Sequence, residues 1–351
     1  MKDAVKKVYH RPTSDPKKIP NKIVEHIFSS NLNSAIFSHI FRYFKIYSSR
    51  FEHKSDFELK SESEDLLNDI NTIIDEDNEI EATQEETIFR IYHRPNLVEE
   101  LENPCACVVH HDLNDPSDAF DIEKYLDKYL VSDLVICLNK TQEKILNGLG
   151  VLKTVVIPHG YNKRLKNLKP NHKTENSKFV LGIFSKRYGR MVKGEAFIYE
   201  LAMNLSPESI SFMLIGDQRS IDGEWLISMG FDVIYGESVP YPVLCKSYND
   251  IDAILITSIS EGAPASVPEA LITNTPIIGR PVGMIPDVFA KGSCGLILTD
   301  NAETDAKLIM YFLKNKLDES KKFIKKNKLV YSWKEIINKY EDSIDNILGN
   351  E

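Results

Sequence analysis

The sequence predicts an α/β protein made of two doubly wound parallel sheets, and three observations carry that prediction. From residue 87 onward, short apolar strand segments alternate with helical ones at the spacing of βαβ units. Polar residues recur where those strands end, as in His93-Arg94, His110-His111-Asp112, Gly216-Asp217 and Thr257-Ser258. In open α/β sheets that edge is where ligands bind. The 351 residues exceed one ordinary core and suit two domains of about 150 residues each.

Taken in order, the first 86 residues are the least regular. Ala4 to Tyr9 reads as a strand, and RPTSDPKKIP after it as a loop, by its prolines. Lys22 to Phe28 and Asn33 to Tyr47 read as helices. The second of these carries apolar residues around much of its circumference, with Arg42 and Lys45 among them. That is the make-up of a core helix with snorkelling cations, and a helix lying on a membrane surface is the competing reading. From Asp56 to Glu86 acids dominate over a single lysine, which reads as a solvated helix face and loop.

Strands follow at Thr87–Tyr92, Cys105–Val109, Leu134–Leu138 and Thr154–Ile157, with helical segments at Asn96–Leu101, Ile122–Leu130 and Thr141–Leu149. LKNLKPNHKTENSK, residues 165–178, is polar and holds Pro170, so it reads as a linker. A second set then begins. Its strands are Phe179–Phe184, Ser211–Ile215, Asp232–Tyr235, Ala253–Thr257 and Pro276–Gly279. Its helices are Gly194–Leu205, Trp225–Met229, Tyr241–Tyr248, Ser266–Asn274, Asp305–Leu313 and Trp333–Ile347. The implied domains are 1–168, with 1–86 atypical, a linker at 169–177, a second domain at 178–330, and a final helix within 331–351 that packs back on the first.

A hydrophobic fraction of 42% fits a folded protein. The net charge of −9 argues against a nucleic-acid partner, which calls for a basic stripe. No run of about 18 apolar residues and no apolar leader is present, so neither a membrane span nor secretion is expected. Five cysteines without metal spacing read as reduced thiols of a cytoplasmic protein. Cys105 and Cys107 share a strand face, an ordinary sheet position rather than a redox pair.

The stretch Thr257 to Asp287, TSISEGAPASVPEALITNTPIIGRPVGMIPD, organises the rest. It reads as strand, polar loop, helix start, strand. A helix N-terminus offers unpartnered N–H groups to an anion, and Glu261 and Glu269 flank it. Ser266 and Glu269 also have the spacing of a capping box, which alone would explain the second acid. Asn274 suits a left-handed helix stop. SKRYGRMVKGE after the strand ending at Phe184 clusters Lys186, Arg187, Arg190 and Lys193 where a diphosphate would need cations.

The pattern EGAPASVPEA followed by TPIIG and a glycine loop resembles the signature of retaining glycosyltransferases of the GT-B fold, family 4. VSDLVICLNKTQEKILNGLGV with its later PHGYN, the strand ending VVHHD, IFRIYHRP, and SWKEIINKY are similar to further segments of that family. The likeness runs from roughly Thr87 to the C-terminus, and residues 1–86 lack the family's usual first strand and glycine-rich loop. It implies two Rossmann-like domains facing across a cleft, and a metal-independent transfer of sugar from a nucleotide-sugar to an acceptor hydroxyl, without cofactor.

The resemblance also assigns roles. Glu261, with Gly262, Ala263 and Ser266, would meet the donor's sugar and phosphate, and Glu269 its ribose. Lys193 with Arg187, or with Arg190 in its place, would hold the diphosphate. Backbone between Tyr235 and Val239 would hold the base. Gly283 would lie near donor and acceptor, and Met284 stands where the family has a second glycine. His111 would approach the sugar from the opposite domain, with His93, His110 and Asp112 as acceptor-side candidates. The implied partners are a nucleotide-sugar and a sugar or lipid-linked acceptor, the latter with peripheral contact at the inner membrane face. The competing functions are a nucleotide-sugar epimerase and a non-catalytic partner subunit of the same shape. The sugar, the base, the acceptor and the oligomeric state are not readable from the sequence.

Overall fold

The computed structural model describes residues 22–28, 35–55, 87–117, 121–167 and 177–349. The strand expected at Ala4–Tyr9, the acidic run 56–86 and most of the expected linker lie outside these residues.

Two parallel six-stranded sheets form the frame. The first contains β1 (Lys22–Ile27), β2 (Glu52–Ser55), β3 (Thr87–Tyr92), β4 (Cys105–Val109), β5 (Leu134–Cys137) and β6 (Thr154–Val156), in the order β2-β1-β3-β4-β5-β6. The second contains β7 (Phe179–Phe184), β8 (Ile210–Ile215), β9 (Asp232–Gly236), β10 (Ala253–Ile256), β11 (Ile277–Gly279) and β12 (Gly295–Ile297), in the order β12-β11-β10-β7-β8-β9. CACVV of β4 and AILI of β10 are buried throughout, as strands covered on both faces must be. The strand order reverses between β1 and β3 and between β7 and β10. Outside the carboxyl ends of those pairs a parallel sheet opens a crevice.

The structure corrects the reading of residues 22–28, which form a strand and not a helix. Ile23 and Ile27, like Val24 and Phe28, are four apart and fit a helical period as well as an extended one. Pairing on both sides decides the matter: Val24 lies opposite His53 of β2 and Phe89 of β3. Val24, His26 and Phe28 then share one buried face. The first strand that the sequence seemed to lack is therefore present, next to the reversal point. β2, β12 and the helices Ile285–Phe289 and Leu317–Lys326 were also not anticipated, whereas Asn274 ends its helix with the expected left-handed backbone, φ 60°.

The last helix, Trp333–Leu348, crosses back to the first sheet and packs on the helix Ala35–Tyr47. Trp333 stacks on Tyr43 with centroids 4.8 Å apart, and Tyr340 meets Phe44 edge-on at 5.0 Å. Glu341, wholly buried, accepts hydrogen bonds from the Ser48 hydroxyl at 2.7 Å and from the N–H groups of Ser49 and Arg50 at 2.9 and 3.0 Å. Arg50 also pairs with Asp342 and Asp345. The helix Ala35–Tyr47 is thus packed against protein along the part from Ile40 onward, as the core reading expected. All five cysteines are free and buried. No helix among the described residues is long and apolar enough to cross a membrane.

Candidate active site

A cavity of about 320 Å³ lies between the halves, at the β7/β10 reversal point. Its walls include Ser185, Lys186, Tyr188 and Lys193 from the loop after β7, and Thr257, Ser258, Glu261, Ser266 and Glu269 from the segment after β10. Ile40, Tyr43, His159, Gly160 and Trp333 close it from the other side. The position follows from topology, since two loops leaving the reversed pair must part in opposite directions.

The cation loop and the acidic loop meet here. The Lys193 ammonium donates to Glu261 Oε1, which also accepts from the Ser258 hydroxyl at 2.7 Å. Gly194 starts the helix Glu195–Asn204 with φ 73°, and a Cβ there would lie 2.0 Å from the Thr257 carbonyl oxygen. Only glycine lets the chain pass so close to the end of β10, which places Lys193 over the acidic loop.

Glu269 is not a capping residue. The helix begins at Ser266 with Ala265 as its cap, and neither makes a side-chain cap bond. The carboxylate of Glu269 instead accepts from the Tyr241 hydroxyl at 2.9 Å and the Tyr248 hydroxyl at 2.8 Å. Burial pushes its pKa above the usual carboxylate range, and the two tyrosine bonds offset part of that. Burial raises both tyrosines further from ionisation, so both remain donors. Each carboxylate oxygen can accept a second bond, and Glu269 is part of the cavity wall.

The four loop cations part ways. Lys193 and Lys186 line the cavity. Arg187 turns to Asp222, Nε to Oδ1 at 3.3 Å. There it joins a buried charge cluster in which Arg219 bonds Asp222 at 2.6 Å, the Ser185 carbonyl at 2.8 Å and the Ser185 hydroxyl at 2.9 Å. This cluster braces the loop from behind. Arg190 reaches the other half and bonds both oxygens of Asp115, at 2.9 and 3.2 Å. Asp115, which sequence reasoning passed over, accepts from the Ser260 hydroxyl at 2.7 Å as well.

The facing half grips the acidic loop through its backbone. Asn139 Nδ2 donates to the Gly262 carbonyl at 2.9 Å, and the Glu261 N–H reaches Asp112 Oδ2 at 3.4 Å. A Cβ on Gly262 would lie 2.5 Å from the His110 carbonyl oxygen, and Gly283 packs beneath the carbonyls of Glu261 and Gly262. His159 Nδ1 bonds the Ala263 carbonyl at 3.0 Å, so Nδ1 carries the proton. Burial pushes the His159 pKa down to about 4, against the pull of that carbonyl.

His111 does not line this cavity. Its ring packs on Tyr125 at 4.6 Å, its carbonyl accepts from Gln142 Nε2 at 2.7 Å, and burial lowers its pKa to about 4. The histidine in the wall is His159, in the turn Pro158-His159-Gly160. His93 and His110 bond one another, Nδ1 to Nε2 at 2.8 Å. Tyr235 lies against Gly223, and Val239 folds over Gly236. Both stand at the end of β9, outside the cavity wall.

Geometry of this kind, a cation loop and an acidic loop on one reversed strand pair with a second sheet opposite, allows comparison with known proteins. Residues 174–330 match the family described as glycosyl transferases group 1. That match spans the second sheet and its helices. No curated protein matches the sequence at a significant level. Among solved structures, sucrose-phosphate synthase from Thermosynechococcus elongatus has a TM-score of 0.66 at 13% identity, covering 94% of this chain and all of the other. HepE of Anabaena in complex with UDP-glucose has 0.63 at 13%, covering 93% and 99%. A TarM mutant of S. aureus, in complex with fondaparinux, alpha-GlcNAc-glycerol and UDP, has 0.58 at 18%, covering 73% of this chain. This chain spans just over half of TarM's length, 55%. At such identities the likeness establishes the fold, which is GT-B: two Rossmann-like domains across a cleft.

Proposed function

We propose that this protein is a glycosyltransferase that moves a sugar from a nucleoside-diphosphate sugar to an acceptor hydroxyl with retention of configuration and without metal, as a member of family 4. The observation that supports it is the Lys193–Glu261 pair on the cavity floor, at the reversal point of the second sheet. UDP or UDP-glucose is bound by HepE, which shares the fold, and a uridine diphosphate donor is the first candidate here.

In this reading the bond between the anomeric carbon and the β-phosphate oxygen breaks, and a bond to the acceptor oxygen forms on the same face. The acceptor's proton passes to the departing diphosphate. Lys193 and Lys186 face the charge that builds on that group, where a fixed cation in a dry site acts most strongly. Arg187, held by Asp222, steadies the loop. Glu261 exchanges Lys193 for sugar hydroxyls, and Glu269 uses its remaining lone pairs for the ribose. The acceptor enters from the side of Tyr43, His159 and Trp333; a sugar or a lipid-linked sugar is its expected class.

A thermal-shift screen against nucleotide-sugars, followed by assay of transfer, tests the reading. A stabilising donor, turned over with the anomeric configuration kept, is the expected result. Stabilisation by none, inverted product, or loss of transfer in a chelator would each remove the corresponding part.

A further inference from the structure

Four histidines stand side by side along the C-terminal edge of the first sheet, one from each of four adjacent strands. They are His53 in β2, His26 in β1, His93 just past β3 and His110 just past β4. His26 Nε2 lies 2.9 Å from His53 Nδ1, His93 Nε2 lies 3.1 Å from His26 Nδ1, and His110 Nε2 lies 2.8 Å from His93 Nδ1. Every contact therefore joins the Nε2 of one ring to the Nδ1 of the next, in the same sense.

That sense has a strict consequence. A neutral imidazole has one N–H and one lone pair. His26 and His93 each use both nitrogens within the row. If His93 carries its proton on Nε2, it donates to His26 Nδ1, which must be bare, so His26 carries its own on Nε2. The same step fixes His53 and His110. All four carry the proton on Nε2, or all four on Nδ1. Burial lowers the pKa of each ring, which favours the neutral form throughout.

The rings are also held against rotation. His26 sits among Phe44 at 4.4 Å, Phe41 at 5.3 Å and Phe28 at 6.0 Å. Phe28 stacks on His93 at 4.1 Å, with planes 2° apart. At the cleft end, the His110 carbonyl packs on Gly262 and its ring lies 6.1 Å from that of His159 in the cavity wall.

We propose that His53, His26, His93 and His110 act as one tautomer-locked row, whose three outer members are positioning residues that set which nitrogen of His110 bears the proton beside the cleft. The role in sugar transfer rests on the function proposed above. The lock itself does not.

The test uses the full chain with ¹⁵N-labelled histidine. Imidazole nitrogen shifts of the wild type show the same tautomer in all four rings. His26→Phe fills the space but splits the row, so His93 and His110 become mixtures of tautomers. The turnover number falls about tenfold, the order expected of lost positioning, and the donor KM is unchanged. His26→Gln, which keeps one donor and one acceptor, restores single tautomers and most of the turnover. His26→Leu, which splits the row at the same place with a smaller side chain, gives the same signature if His26→Phe does not fold. Different tautomers within the wild-type row, or His93 and His110 unmoved in the split variants, overturn the lock. Intact turnover with altered tautomers overturns the positioning role. Absence of any nucleotide-sugar turnover in the wild type strikes the transfer reading alone, and the nitrogen shifts still decide the row.

Discussion

Lys193 and Glu261 are bonded across the floor of the cleft, although 68 residues separate them. One leaves β7 and the other leaves β10, the two strands at which the second sheet reverses. Each neutralises the other. A diphosphate would draw Lys193 away and leave Glu261, still bonded by Ser258, open to a sugar hydroxyl.

Lys193→Ala and Glu261→Ala are each expected to lower kcat/KM for sugar transfer by about 10²- to 10³-fold. The circular dichroism of both variants should match the wild type, because both side chains reach the cavity rather than the packed interior of either sheet. Transfer at a near-normal rate by either folded variant would sink the assignment.

Tyr248 and Tyr241 hold Glu269 in the cavity wall. Removing one hydroxyl leaves a buried carboxylate short of a donor, at a cost of about 1–3 kcal/mol. Tyr248→Phe should therefore shift the midpoint of denaturant unfolding downward, and the double variant with Tyr241→Phe further. If Glu269 also holds the ribose, the single variant weakens donor binding at the same time. An unchanged midpoint in both variants would mean that Glu269 is satisfied some other way.

Stability should fall on the acid side. His53 is pushed down to about 3, and His111 and His159 to about 4, in each case first by burial. His26, His93 and His110 are lowered as well. The unfolded chain takes up these protons near pH 6.5 and the folded chain does not. The unfolded state then binds more protons below that pH, so stability is full above it and declines as the pH drops toward 4. Glu269, raised by burial, works in the opposite direction, but it is a single group. Denaturation midpoints measured from pH 7.5 to 4.5 check the sign. A midpoint that holds or rises toward pH 5 would mean that the histidines are not buried neutral.

What the sequence made legible follows from where each signal lives. Apolar runs such as CACVV and AILI announce buried strands without any partner, and the acidic loop with its helix is contiguous. β1 was lost because KIVEHIF fits two periods and only its neighbours β2 and β3 make it a strand. β2 has four residues with just one of them buried, too little for a periodic signal. The capping box at Ser266 had the right spacing, but the chain realises a full one at Ser332 and Glu335 instead. Tyr241, Tyr248, Asp115 and Asn139 act on residues 21 to 145 positions away, so nothing local marks them. The histidine row did leave a trace, a histidine in or just past each of four strands. That trace becomes visible only when all four strands are placed.

Gly262 sets how closely the halves approach. Its Cα faces the His110 carbonyl, and an added Cβ would lie 2.5 Å from that oxygen and 3.0 Å from its carbon. Backbone cannot yield as a flexible side chain would, so Gly262→Ala must part the acidic loop from the facing edge or bend one of them. The Asn139–Gly262 bond would be strained with it. If the donor is held mainly by the second half and the acceptor by the first, the variant keeps donor affinity within about twofold and loses at least about tenfold in turnover, since misplacement of this size disrupts alignment of the reacting groups. Calorimetric donor binding beside steady-state transfer separates the two quantities. Equal loss in both would place the defect within the donor site itself, and no loss in either would show that the halves close without this contact.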